Sequence, residues 1–125
     1  MRRYMSVVAV SVVSLLTLGL GEAHADKTFK VSGVAGACQL RNGVLTIHNN
    51  GKASLKAKVA STSSGSDAYC LTFKFQDGNG TEVFAWPRIC SPTLYPVSQM
   101  WSRSDLAVPQ NLVDFIQKIA WVNHC

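Results

Sequence analysis

Histidine and acidic side chains are scarce in this 125-residue chain, where 3 His and 7 Asp or Glu stand against 12 Lys or Arg and leave a net charge of +5 at pH 7. The scarcity thins out general acid–base candidates. No Gly-x-Ser-x-Gly elbow marks a nucleophile, and a Ser-His-Asp site would need His48 or His124 to meet its partners across space. Gly33-Val34-Ala35-Gly36 lacks the lysine of a phosphate loop, and there is no Cys-x-x-Cys pair with metal-ligand spacing. Neither an internal repeat nor a long linker divides the chain. These absences point away from catalysis, from a cofactor and from a metal centre, and they leave a single domain.

What is present starts at the amino terminus. Arg2 and Arg3 precede an apolar run, Val7 to Leu20, and Ala23-His24-Ala25 forms a small-x-small site. This is the pattern of a secretory signal, residues 1–25, with Asp26 as the first mature residue. A helix over that run reaches about 21 Å, short of the roughly 30 Å core of a bilayer, so no stable membrane anchor is expected after cleavage. Residues 26–125 then form one secreted or periplasmic domain, expected to be monomeric. A domain this small buries limited apolar area, which makes cross-links useful outside the cell. Without Arg2, Arg3 and Glu22, the remaining 10 basic and 6 acidic side chains give a net +4. That charge allows attraction to an acidic protein or to anionic envelope and glycan surfaces; the lysines are not interleaved with aromatics as in a nucleic-acid strip.

The mature chain alternates with a period of two. Leu45 and Ile47 lead to Asn49-Asn50-Gly51, after which Ala53, Leu55, Ala57 and Val59 alternate with Lys52, Ser54, Lys56 and Lys58. A three-residue loop with Gly51 left-handed pairs Ile47 with Ala53 and Leu45 with Leu55, keeping apolar side chains on one face. A second hairpin places Tyr69, Leu71, Phe73 and Phe75 on the core face and turns at Asp77-Gly78-Asn79-Gly80. Closure between Gln76 and Thr81 sets Phe73 opposite Phe84 and Leu71 opposite Trp86. A short strand at Thr28 to Val31 precedes both hairpins, and Gln39 to Arg41 offers another. Pro87 to Ser104, with Pro92, Tyr95, Pro96, Met100 and Trp101, reads as a long ordered loop with at most a short strand, which either covers the core or presents a binding surface. From Pro109, the recurrence of Leu112, Val113, Phe115, Ile116, Ile119 and Ala120 predicts a carboxyl-terminal α-helix, with Trp121 to Cys125 either continuing it or forming a closing strand. The expected fold is therefore mainly β, a small antiparallel barrel or sandwich of five to six strands with one terminal helix.

Four cysteines allow three connectivities. The second hairpin brings Cys70 opposite Pro87, close to Cys90, so Cys70 is expected to pair with Cys90 and Cys38 with Cys125. On a chain-entropy argument these loops contribute about 3 and about 4.5 kcal/mol. Lys52, Lys56 and Lys58, joined by Lys74 across one sheet, are expected to form a basic stripe that either keeps that face soluble or docks an acidic surface.

Thr28-Phe29, Gly36-Ala37-Cys38, Asn50-Gly51-Lys52-Ala53, Ser63-Ser64-Gly65-Ser66-Asp67-Ala68, Asp77-Gly78-Asn79-Gly80 and the terminal His124-Cys125 together resemble a family of small secreted bacterial domains, frequent in actinobacteria, with no assigned function. The resemblance implies a compact β domain whose first and last cysteines pair. It transfers no catalytic residue or ligand, and Cys70 and Cys90 depart from its pattern. The function expected from these observations is a non-catalytic binding module, in its most concrete form an inhibitor or immunity-like protein. Lys56, Lys58, Lys74, Tyr95, Met100 and Trp101 are its candidate contacts. The alternatives are a small hydrolase or toxin acting on envelope polymers, and a structural or adhesive envelope protein.

Overall fold

The computed structural model describes residues 26–63 and 67–125, so the expected signal segment, residues 1–25, lies outside the described residues. Eight strands, β1 (Lys27–Ala35), β2 (Cys38–Ile47), β3 (Lys52–Ser61), β4 (Cys70–Gln76), β5 (Glu82–Ala85), β6 (Ile89–Cys90), β7 (Gln99–Ala107) and β8 (Lys118–His124), form two antiparallel sheets. The first sheet has the order β1-β2-β3-β7. In the second, β5 and β6 follow one another along one edge of β4, and β8 lines the other. The sheets enclose one core and do not close into a barrel.

The period-two residues form the core as expected. Leu45, Ile47, Leu55, Tyr69, Leu71, Phe73 and Phe75 are all fully buried. The first hairpin also has the expected register, with Ile47 opposite Ala53 and Leu45 opposite Leu55. Gly51 is left-handed at φ 92°, and a Cβ there would lie 2.5 Å from the Val108 carbonyl oxygen. Only glycine meets both demands.

The second hairpin has a different register. Phe84 lies opposite Phe75, Ile89 opposite Leu71, and Cys90 directly opposite Cys70. Extra residues enter the edge where its ladder is interrupted: at the turn, at Val83, and around Pro87, which has no N–H to donate. Phe75 and Trp86 meet edge to face, with ring centroids 4.7 Å apart. Both expected disulfides are present: Cys70–Cys90 joins neighbouring strands, and Cys38–Cys125 ties the start of β2 to the end of the chain.

Two further expectations are corrected. No carboxyl-terminal α-helix forms; a 3-10 turn, Gln110–Phe115, is followed by β8. Val113, Ile116, Ile119 and Trp121 satisfy a strand as well as a helix, and β8 pairs with β4 along its whole length, supplying the hydrogen bonds an open edge would lack. Lys27 Nζ donates to the carbonyls of Val113 (2.6 Å) and Ile116 (2.7 Å), partners the short turn cannot provide. The expected loop from 87 to 104 instead contains β6 and the start of β7, which pairs with β3. Trp121 Nε1 donates to Ser32 O at 3.2 Å and Trp86 Nε1 to Ala107 O at 2.7 Å, so two indoles clip the second sheet to the first.

Candidate functional site

Side chains alternate across each strand, so the outer face of the first sheet can be read from its register. Lys30, Val44, Lys56 and Ser102 form one row across β1, β2, β3 and β7; Arg41, Lys58 and Met100 form the next. Lys52 stands further along β3 and is also exposed. Neighbouring strands are about 4.8 Å apart and alternate residues about 7 Å apart along a strand. Arg41 and Lys58 are therefore about 5 Å apart, Lys56 and Lys58 about 7 Å, and Lys30 and Lys56, with Val44 between them, about 10 Å. Residues 27–66 contain Lys27, Lys30, Arg41, Lys52, Lys56 and Lys58 and not one Asp or Glu. Among the described residues, no ion pair reaches Lys30, Arg41, Lys52, Lys56 or Lys58. The nearest acid in the same sheet, Asp105 on β7, is taken by Arg103, whose Nε and second guanidinium nitrogen donate at 2.7 and 2.8 Å. That pairing holds the Asp105 carboxyl below the usual carboxylate range.

The structure divides the expected contact residues. Lys56 and Lys58 share this face with Met100, which is 62% exposed opposite Lys58. Tyr95 is 47% exposed at its margin, where its carbonyl accepts from Ser61 N at 3.1 Å. Lys74 lies on β4 in the other sheet, 4.0 Å from Glu82, so it does not join the stripe. Trp101 is 3% exposed and faces inward opposite buried Ala57; it is a core residue. Lys30 and Arg41 were not singled out from the sequence. The acid-free run from 27 to 66 was a legible signal for them, but only the register shows that their strands adjoin β3.

This face is also uneven. Asn42, left-handed at φ 52°, and Gly43 form a bulge in β2 that both neighbouring strands register as an interruption. A Cβ on residue 43 would lie 2.5 Å from the Val31 carbonyl, so the bulge requires glycine. Beside it opens a hollow of about 330 Å³ bordered by Lys30, Ser32, Asn42 and Val44. A second hollow of about 390 Å³, at the other end of β2, is bordered by Gln39, Ala60, Thr62 and Pro96. Arg41 and Lys58 stand between the two.

The remaining polar groups are engaged elsewhere. His48 Nδ1 lies 3.0 Å from Asp26 Oδ1. His124 lies 3.5 Å from Thr72 Oγ1 and 3.3 Å from Arg88, and burial together with the Arg88 charge lowers its pKa. Neither grouping joins an acid, a histidine and a nucleophile among the described residues. Cys38, Cys125 and Asp67 converge within 4.8 Å, but both sulfurs are consumed in a disulfide. The Asp67 carboxylate accepts from the hydroxyls of Ser63 and Ser61, which hold its pKa below the ordinary value. No described helix is long and apolar enough to cross a membrane.

Comparison of the chain with protein-family models, with characterised proteins and with solved structures finds no match.

Proposed function

We propose that this protein is a secreted or periplasmic, non-catalytic binding module that docks an anionic partner on the outer face of the β1-β2-β3-β7 sheet. One observation carries the reading. A contiguous run with six basic side chains and no acid folds into three adjacent strands, and among the described residues Lys30, Arg41, Lys52, Lys56 and Lys58 meet no carboxylate. Unneutralised like charges repel, so stability alone gives no reason for the cluster. A field of one sign steers an oppositely charged partner and speeds its arrival. The two disulfides suit an oxidising compartment, in keeping with cleavage after Ala25.

Retention on an anionic matrix across a salt series tests the reading. Elution should move to markedly lower salt when Lys56→Glu and Lys58→Glu are combined, and Lys74→Glu combined with Lys118→Glu, an equal charge change on the second sheet, should shift it far less. Steering of this kind is screened within about 10 Å at 0.1 M salt. Equal shifts for the two sheets would show net charge alone at work and would sink the proposal.

A further inference from the structure

Resting on that docking reading, we infer that the partner is an acidic oligosaccharide whose anionic groups meet Arg41 and Lys58 while its sugar rings lie in the two flanking hollows. A sugar ring offers hydroxyls that both donate and accept, together with an apolar C–H face. Each hollow offers the complement. The first has the Ser32 hydroxyl and Asn42 amide beside Val44; the second has the Gln39 amide and Thr62 hydroxyl beside Ala60 and Pro96. The Ser61 hydroxyl borders the second hollow but is bonded to Asp67, and it is left out of the recognition set. With volumes of about 330 and 390 Å³, both lie at the small end of ligand sites, which run from roughly 300 to 1,000 Å³.

Their arrangement matters more than their size. Gln39 and the Asn42-to-Val44 segment are three to five residues apart on one strand, a span of roughly 10–17 Å. Arg41 and Lys58 are directly opposed between them, with Cα atoms about 5 Å apart. The order hollow, cation pair, hollow matches a chain in which rings alternate with or carry carboxylate-type groups. An acidic protein surface is a poorer match: protein interfaces anchor on buried aromatic side chains, and this face offers a single exposed one, Tyr95 at its margin, among the described residues. A featureless polyanion would use the cations and leave the hollows without a role.

Binding measured by calorimetry on the exported protein with both disulfides intact tests the inference, with hexagalacturonate, maltohexaose, inorganic polyphosphate, polyglutamate and phosphatidylglycerol vesicles as probes. The expected result at 0.1 M salt is binding of hexagalacturonate about tenfold tighter than polyphosphate or polyglutamate at matched charge. Maltohexaose should bind weakest. Gln39→Leu and Thr62→Val should each weaken hexagalacturonate about threefold to tenfold, the range expected for one lost hydrogen bond, and leave polyglutamate unchanged. Arg41→Glu should weaken every anion. If all anions bind alike, if the hollow variants change nothing, or if polyphosphate, polyglutamate or vesicles bind best, the oligosaccharide assignment falls and the charged docking face stands. If no anion binds, both fall.

Discussion

The two sheets are assembled on one plan, three strands from one stretch of chain and a fourth from further along, but they are fastened differently. In the β1-β2-β3-β7 sheet, three strands come from one continuous stretch, Lys27–Ser61, folded through two tight turns. In the second, β4, β5 and β6 likewise come from one stretch, residues 70–90, with β8 added from further along, and the sheet is fastened by aromatic contacts and the Cys70–Cys90 disulfide. Cys38–Cys125 then ties the two sheets together. In the first sheet β1, β2 and β3 are held by their ladders and buried faces with no ion pair among their described residues, so the outer face carries unpaired charge. On the second, Lys74 faces Glu82 and His124 meets Arg88.

The largest test removes the cross-link between the sheets. Cys38→Ser with Cys125→Ser should cost about 2–5 kcal/mol, with a fall in Tm of roughly 10 °C or more. Hydrogen exchange on this variant should show β8 amides losing protection before those of β2 and β3. Uniform loss would break the contrast. In the first sheet, Gly51→Ala forces a left-handed conformation and a contact with the Val108 carbonyl, so a loss of about 2–3 kcal/mol in a denaturant melt is expected. A loss under about 0.5 kcal/mol would mean that the turn is not held as described.

Tyr69 sharpens the comparison through pH. Its hydroxyl donates to Asn123 Oδ1 at 2.7 Å, and burial raises its pKa well above the ordinary value of 10. Above pH 10 the unfolded chain gives up this proton while the folded chain keeps it, so stability falls as pH rises. Tyr69→Phe should cost about 1–2 kcal/mol at neutral pH and remove most of that alkaline decline. A decline that persists in full would assign it to other groups. The smallest effect belongs to the basic face, where Lys56→Gln with Lys58→Gln should change stability by less than about 0.5 kcal/mol, or raise it, while weakening anion binding. A clear destabilisation would mean these lysines serve the fold.

Legibility followed the range of the interactions involved. The Asn49-Asn50-Gly51 hairpin was readable to the residue because turn and apolar alternation agree within a short stretch. The register around Pro87 was not, since its irregularities depend on what β4 can accept. The pairing of Cys70 with Cys90 survived that error because the added residues brought Cys90 closer to Cys70. Of the basic stripe, Lys56 and Lys58 were legible from alternation alone, whereas Lys74 was placed wrongly because sheet membership is not encoded in period.

By itself the sequence determined the β class, the core-facing residues of the two hairpins, both disulfide pairs and the run of bases without acids. These depend on local geometry and composition, except that Cys38–Cys125, 87 residues apart, follows only as the pair left once Cys70 and Cys90 join. Only the tertiary structure decided that residues 118–124 form a strand, that Trp101 is core, and that Lys30 and Arg41 join Lys56 and Lys58 between two hollows. Ile119 and Trp121 fit a helix or a strand equally well on their own; what separates the two outcomes is the unpaired edge of β4, more than 40 residues away in the chain, whose buried backbone groups must find partners.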